Sequence, residues 1–387
     1  MVAPKRVEFI DLLRGWAVIV MIETHVMNAT LTQETMAGSV FQFLKFLNGL
    51  VAPSFLFASG MAYAVTTRRK LNDYLSFGPP LFKQIGRLLF ILALGYMLHL
   101  PKFNFTHLLH LAGERPWQVF FQSDVLHCIA VSLLIMQGLL LLLKNERRLY
   151  ATVGGLALVI VIMTPVMWGI DFWKYLPVPI AAYMNGQHFS LFPLFPWSAF
   201  LFAGAIAGYF YLRAKDVSAS KPQGREPKMM KSLAWVALGI IAISFAFEPV
   251  AASIYSVYDY WRFSPSFFLL RLGLVLLLCS GMFFYERYRG VSARSPITLV
   301  GRESLLVYTA HLLLIFGNFG AFNFRDRVNH TYGYMGALIT TLILLVLMYV
   351  LARTWNRIKH SSLRLKLAVN LGTLASFLGV FFFGPGE

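Results

Sequence analysis

Eleven apolar stretches, each long enough to span a bilayer, run along the chain near 9–29, 43–66, 81–99, 121–143, 150–168, 192–212, 232–252, 266–285, 298–318, 333–352 and 365–383. In hydrocarbon a backbone must satisfy its own polar groups, and a helix does so within one segment. The expected fold is an all-α polytopic membrane protein with about eleven transmembrane helices. Composition agrees: 13% of residues are charged and 58% are hydrophobic, whereas soluble domains carry about 25% charged residues. The first stretch is itself charged and lacks a small-residue cleavage pattern, so it reads as a retained first helix.

Charge placement sets the orientation. Of 34 Lys and Arg, 23 fall in one alternate set of loops, 7 in the other and 4 inside spans. Basic loops stay cytoplasmic, which predicts a cytoplasmic N-terminus and an outer C-terminus. The same pattern accounts for the net charge of +17 without nucleic acid, since no aromatic–basic platform accompanies it. Residues 1–387 read as a single transmembrane domain, with 213–231 as a basic cytoplasmic linker. Cys128 and Cys279 both lie in apolar spans and read as packing residues. FLFASG at 55–60 and FLFAGA at 200–205 look alike, which small residues at helix contacts explain.

Within the first span, Asp11, Arg14, Val18, Met21, His25 and Asn28 fall on one helical stripe. Asp11 and His25 are then about 21 Å apart along the axis, and Glu23 looks about 200° away from His25. Ionisable residues are expensive in hydrocarbon and mark pathways or sites there. The bland alternative is that Asp11 and Arg14 anchor the helix end and His25 bonds a neighbouring helix.

On the outer side, Asp124 and His127 are i,i+3, and Ser304, Tyr308 and His311 share a face. An outer pocket of His25, Asp124, His127, Glu248, Arg271 and His311 is expected. A carboxylate from Asp124, Glu248 or Glu23 would orient the His25 imidazole and raise its basicity, as a general base needs. Glu23, Asn28, Arg271 and Tyr308 are the candidates for contact with a substrate. No histidine pair has the spacing of a metal motif, so no metal is expected. On the inner side, Arg14, Arg87 and Arg302, with Asp11 beside them, suit a phosphorylated anion. Topology signalling and lipid headgroups are the alternative use of such residues. No phosphate-binding GxxxxGK[ST] loop occurs.

VEFIDLLRGWAVIVMIETH at 7–25 resembles the first helix of transmembrane acyltransferases, where R-x-x-x-I-D-x-x-R-G-x-A leads to a histidine. SDVLHCIAVSLLI, FPLFPWSAFLFAGAIAGYFY and VGRESLLVYTAHLLLIF resemble helices of bacterial relatives of heparan-α-glucosaminide N-acetyltransferase. Acyltransferase family 3 shares the first-helix pattern and the FLF-x-SG stretch at 55–60. The resemblance implies a cytoplasmic acyl-CoA donor, acetyl-CoA above all, as co-substrate, and an acceptor across the membrane, often a sugar. It implies that His25 matches the motif histidine used in acyl transfer; with such a donor, the inner residues Asp11, Arg14, Arg87 and Arg302 are expected to serve its binding. A bacterial inner-membrane enzyme follows, with the lipid bilayer, acyl-CoA and an outer glycan or other small acceptor as partners, and a homo-oligomer left open. Two other classes compete: a transporter using the buried charges as a relay, and a non-catalytic scaffold.

Overall fold

The computed structural model describes residues 7–100, 103–110, 115–218, 224–292, 295–317 and 323–383. The principal helices are α1 (Glu8–Thr30), α2 (Val51–Leu75), α3 (Pro79–Leu98), α4 (Val125–Leu143), α5 (Glu146–Trp168), α6 (Leu194–Ser218), α7 (Glu226–Ile254), α8 (Pro265–Arg289), α9 (Pro296–Arg302), α10 (Ser304–Phe316), α11 (Tyr334–Lys359) and α12 (Leu363–Phe383). Among the described residues no strand forms, and one isolated bridge joins Leu31 to Tyr332. Among the described residues, nine helices are long and apolar enough to cross a membrane, or ten if α9 and α10 count as one bent span. α1, of 23 residues, is outside that group and carries Glu8, Asp11, Arg14 and Glu23. The chain is an all-α polytopic membrane protein, with helices at all eleven expected positions.

One expected span is broken. The stretch 298–318 bends by 86° between α9 and α10. Glu303 leaves helical geometry there, with φ −97 and ψ 22. Opposite charges hold the break: Lys359 Nζ donates to Glu303 Oε2 at 2.6 Å, while the neighbouring Arg302 reaches Glu8 on α1 at 2.8 Å.

The chain separates into two compact units, Met1–Val51 with Leu100–Trp117 and Val291–Glu387, and Ala52–His99 with Gln118–Gly290. The basic stretch 213–231 lies inside the second unit, and 219–223 lie outside the described residues.

In the first unit α1 packs chiefly on α9, then on α11 and α10. Two glycines set that approach. A Cβ on Gly301 would lie 1.9 Å from the Asp11 carbonyl oxygen, and one on Gly15 would lie 2.1 Å from the Ile297 carbonyl oxygen. Small residues of this kind let helix backbones touch. Beyond α1, Thr32 N–H donates to the Tyr332 carbonyl at 3.0 Å and Tyr332 N–H donates to Thr30 at 2.8 Å.

The second unit uses the same device. A Cβ on Gly60 would lie 1.9 Å from the Leu201 carbonyl oxygen, and one on Gly204 would lie 2.0 Å from that of Phe57. The two look-alike stretches therefore pack against each other. At one end of α2, Arg68 pairs with the buried Glu146 and, at 2.7 Å, with Asp216. Local signals delimit α8: Ser264 Oγ accepts from Phe267 N–H at 2.9 Å, Pro265 starts the helix, and Gly290 ends it at φ 64.

Candidate functional site

Helical periodicity brings Asp11, Val18 and Met21 inward on α1, leaves Arg14 and His25 half-buried, and exposes Asn28. His25 meets the fully buried His311 of α10, Nδ1 to Nε2, at 2.9 Å. The rings stack with centroids 5.1 Å apart, and Phe316 sets its edge against His25 at 5.7 Å. Tyr308, also buried, meets His311 edge-on at 5.8 Å.

Hydrogen-bond logic assigns the tautomers of this neutral pair. His311 Nδ1 lies 2.7 Å from the Val307 carbonyl, which can only accept, so Nδ1 carries the proton. Its Nε2 must then accept from His25, which places a proton on His25 Nδ1. The lone pair of His25 is left on Nε2. In place of the carboxylate expected behind His25, the orienting group is a second imidazole. The carboxylates named for that task have partners within their own units. Glu23 is half-buried beside Asn48 and Thr24. Glu248 accepts from Tyr258 Oη at 2.5 Å.

Seventeen residues back along α1 from His25, Arg302 of α9 donates to both oxygens of Glu8 at 3.0 and 2.8 Å. Its Nε stands 3.5 Å from Asp11, itself buried. Of the four residues expected to serve the donor, Asp11 and Arg302 are thus engaged with each other. Arg14 stands half-buried on the same face of α1, and Arg87 is exposed on α3 in the second unit.

A second cluster is built wholly in the second unit. Asp124 caps α4, with Oδ1 accepting from the backbone N–H groups of Leu126 at 2.9 Å and His127 at 3.1 Å. His127 Nδ1 lies 2.6 Å from the same oxygen and 3.3 Å from the Asp124 backbone nitrogen; the much shorter contact to a carboxylate, which can only accept, places the proton on Nδ1, which donates to Oδ1. The expected i,i+3 pair is therefore joined through a helix cap. Both residues are buried, and His127 Nε2 has no hydrogen-bond partner among the described residues. Room for the ring comes from Gly95 of α3, where a Cβ would lie 2.7 Å from His127 Cε1. Tyr96 meets His127 edge-on at 4.2 Å and hydrogen-bonds to Tyr183, hydroxyl to hydroxyl, at 2.8 Å.

His99, one turn beyond Gly95, completes the cluster. One ligand atom from each of His99, Asp124 and His127 lies within 4.8 Å of the other two, an arrangement able to hold a metal ion. His99 caps the end of α3, and its i,i+4 relation to Gly95 is the one local signal of this neighbourhood in the sequence. Arg271 of α8 lies over the Phe267 ring at 3.8 Å and 5.7 Å from the centre of Trp197, an aromatic clamp.

No curated protein matches the chain. The heparan-alpha-glucosaminide N-acetyltransferase catalytic family does match, over residues 6–247. That stretch contains His25, Asp124 and His127 and ends before Glu248, Arg271, Arg302 and His311. Spanning more than half of a helical chain with nine membrane-length apolar helices among its described residues, the match places this membrane protein in the acetyltransferase family of the heparan-alpha-glucosaminide N-acetyltransferase catalytic domain.

Proposed function

We propose that this membrane acetyltransferase takes the acetyl group of cytoplasmic acetyl-CoA and passes it to a hydroxyl or amine of a sugar acceptor on the outer side of a bacterial inner membrane. The observation carrying the reading is the relay from Val307 through His311 to His25, which leaves His25 Nε2 as a proton acceptor on a half-buried side chain. The sided distribution of basic residues supports a cytoplasmic donor.

His25 Nε2 takes the proton from the acceptor O–H or N–H as that atom attacks the thioester carbonyl. A new C–O or C–N bond forms and the C–S bond breaks. The departing thiolate of CoA takes the proton, and His25 returns to its neutral form. Arg14, on the same stripe of α1, meets the phosphates of the donor; Arg302, already held by Glu8 and Asp11, positions α1. About 21 Å of continuous helix between Asp11 and His25 matches the reach of a pantetheine arm in order of magnitude.

The test is turnover by His25→Gln, with CoA affinity measured beside it. Loss of a general base costs about 10²–10⁴ in rate, while CoA affinity should hold. Near wild-type turnover would remove His25 from the reaction.

A further inference from the structure

We infer that His99 and His127 of the second unit form a binding site for a divalent transition-metal ion of the zinc class, with Asp124 holding His127 from behind. The observation is the way both rings are anchored. A metal-binding histidine donates its other ring N–H to a carboxylate or a backbone carbonyl, which fixes the tautomer and aims the lone pair at the metal. His127 donates Nδ1–H to Asp124 Oδ1 at 2.6 Å. His99 does the same to the Gly95 carbonyl, at 2.9 Å. Each histidine therefore has its lone pair on Nε2.

Three further observations point the same way. His127 Nε2 is fully buried and has no hydrogen-bond partner among the described residues. A buried, unsatisfied polar atom is costly and calls for an explanation such as an ion or a water. Ligand atoms of His99, Asp124 and His127 gather within 4.8 Å of one another. Ring separation fits as well. Two imidazoles on one tetrahedral zinc, with Zn–N bonds of about 2.0–2.1 Å, have centroids about 5 Å apart; here they are 5.8 Å apart. Imidazole nitrogen suits zinc and its neighbours in the first transition row. The Asp124 carboxylate lies close enough to shift from holding His127 to joining the ligand set, and remaining positions are left to water or substrate.

The site is independent of the acetyl-transfer reading, because it is defined by a ligand set in the second unit and tested without turnover. Tag-free protein is stripped with a chelator, exchanged into metal-free buffer and titrated with zinc, with the metal retained after gel filtration measured directly. Uptake of about one zinc per chain is expected, with a cobalt-substituted sample showing the visible bands of a nitrogen-ligated tetrahedral ion. Asp124→Asn should weaken binding about 10- to 100-fold, the usual effect of losing an outer-shell partner. His127→Gln should remove the uptake, but it alters a fully buried position. His99→Ala, at a half-exposed helix end, keeps the test decisive: it should lose the zinc while retaining the thermal transition of the metal-free protein. Replacing His188, a loop histidine away from α3 and α4 in sequence, should leave uptake intact. Zinc uptake equal in wild type and His99→Ala would overturn the assignment. So would failure of the wild type to retain zinc.

Discussion

Replacing His311 tests whether it acts through His25. The bond between them is one neutral hydrogen bond of 2.9 Å on a half-buried side chain. His311→Leu removes the acceptor and leaves His25 Nδ1–H unsatisfied, a loss of about 1–3 kcal/mol, or about 5- to 150-fold. It also frees the proton of His25 to move to Nε2, which silences the base. His311→Gln offers an amide oxygen in place of the ring nitrogen and should recover part of the rate. The double variant His25→Gln/His311→Leu is the informative one. With His25 gone there is nothing left to orient, so it should be no slower than His25→Gln alone, within about 0.5 kcal/mol. Residues that act as a unit are non-additive in this way. The assay is the initial rate of label transfer from acetyl-CoA to glucosamine by purified protein in nanodiscs. Losses that simply multiply would refute a chain in which His311 works through His25.

Two further outcomes follow from local geometry. Gly301→Ala places a methyl 1.9 Å from a backbone oxygen of α1, so α1 and α9 must separate; overpacking of this kind costs about 1–3 kcal/mol. A lower thermal midpoint is expected, whereas Gly86→Ala, mid-helix with nothing within 4 Å, should not lower it. In the loop between α5 and α6, a hydrogen bond from His188 at 3.0 Å holds the Asp171 carboxyl below the usual carboxylate range. A lowered carboxylate pKa stabilises above its ordinary value and loses that contribution as pH falls through the lowered one. Hydrogen exchange in this loop, corrected for intrinsic rates, should stay level from neutrality down to about pH 4 and rise below it; Asp171→Asn should raise it already at neutral pH.

Most of the helix inventory was legible because spanning length and apolarity are properties of continuous stretches. The bend at Glu303 was not, since it depends on partners on other helices, Lys359 and Glu8, that no local pattern announces. The stripe Asp11–Arg14–His25 followed from helical periodicity alone. Its partner did not: His311 lies 286 residues away, and the general preference for a carboxylate behind a catalytic imidazole pointed to Glu23, Asp124 or Glu248 instead. Asp124 and His127 were readable as neighbours because i,i+3 spacing operates across a helix cap as well as within a helix. His99 joins them from α3, so a search for metal spacing along one segment passes over it. The paired glycine stretches show the converse, since the likeness of 55–60 to 200–205 reflects one packing task done from both sides.

The most direct measurement supplies labelled acetyl-CoA to one face of sealed, oriented vesicles containing the protein and a sugar amine acceptor to the other. Acetylated acceptor should accumulate on the face away from the donor, in wild type and not in His25→Gln. Acceptor moved across the membrane unmodified, or acetylated only on the face that holds the donor, would contradict transmembrane acetyl transfer.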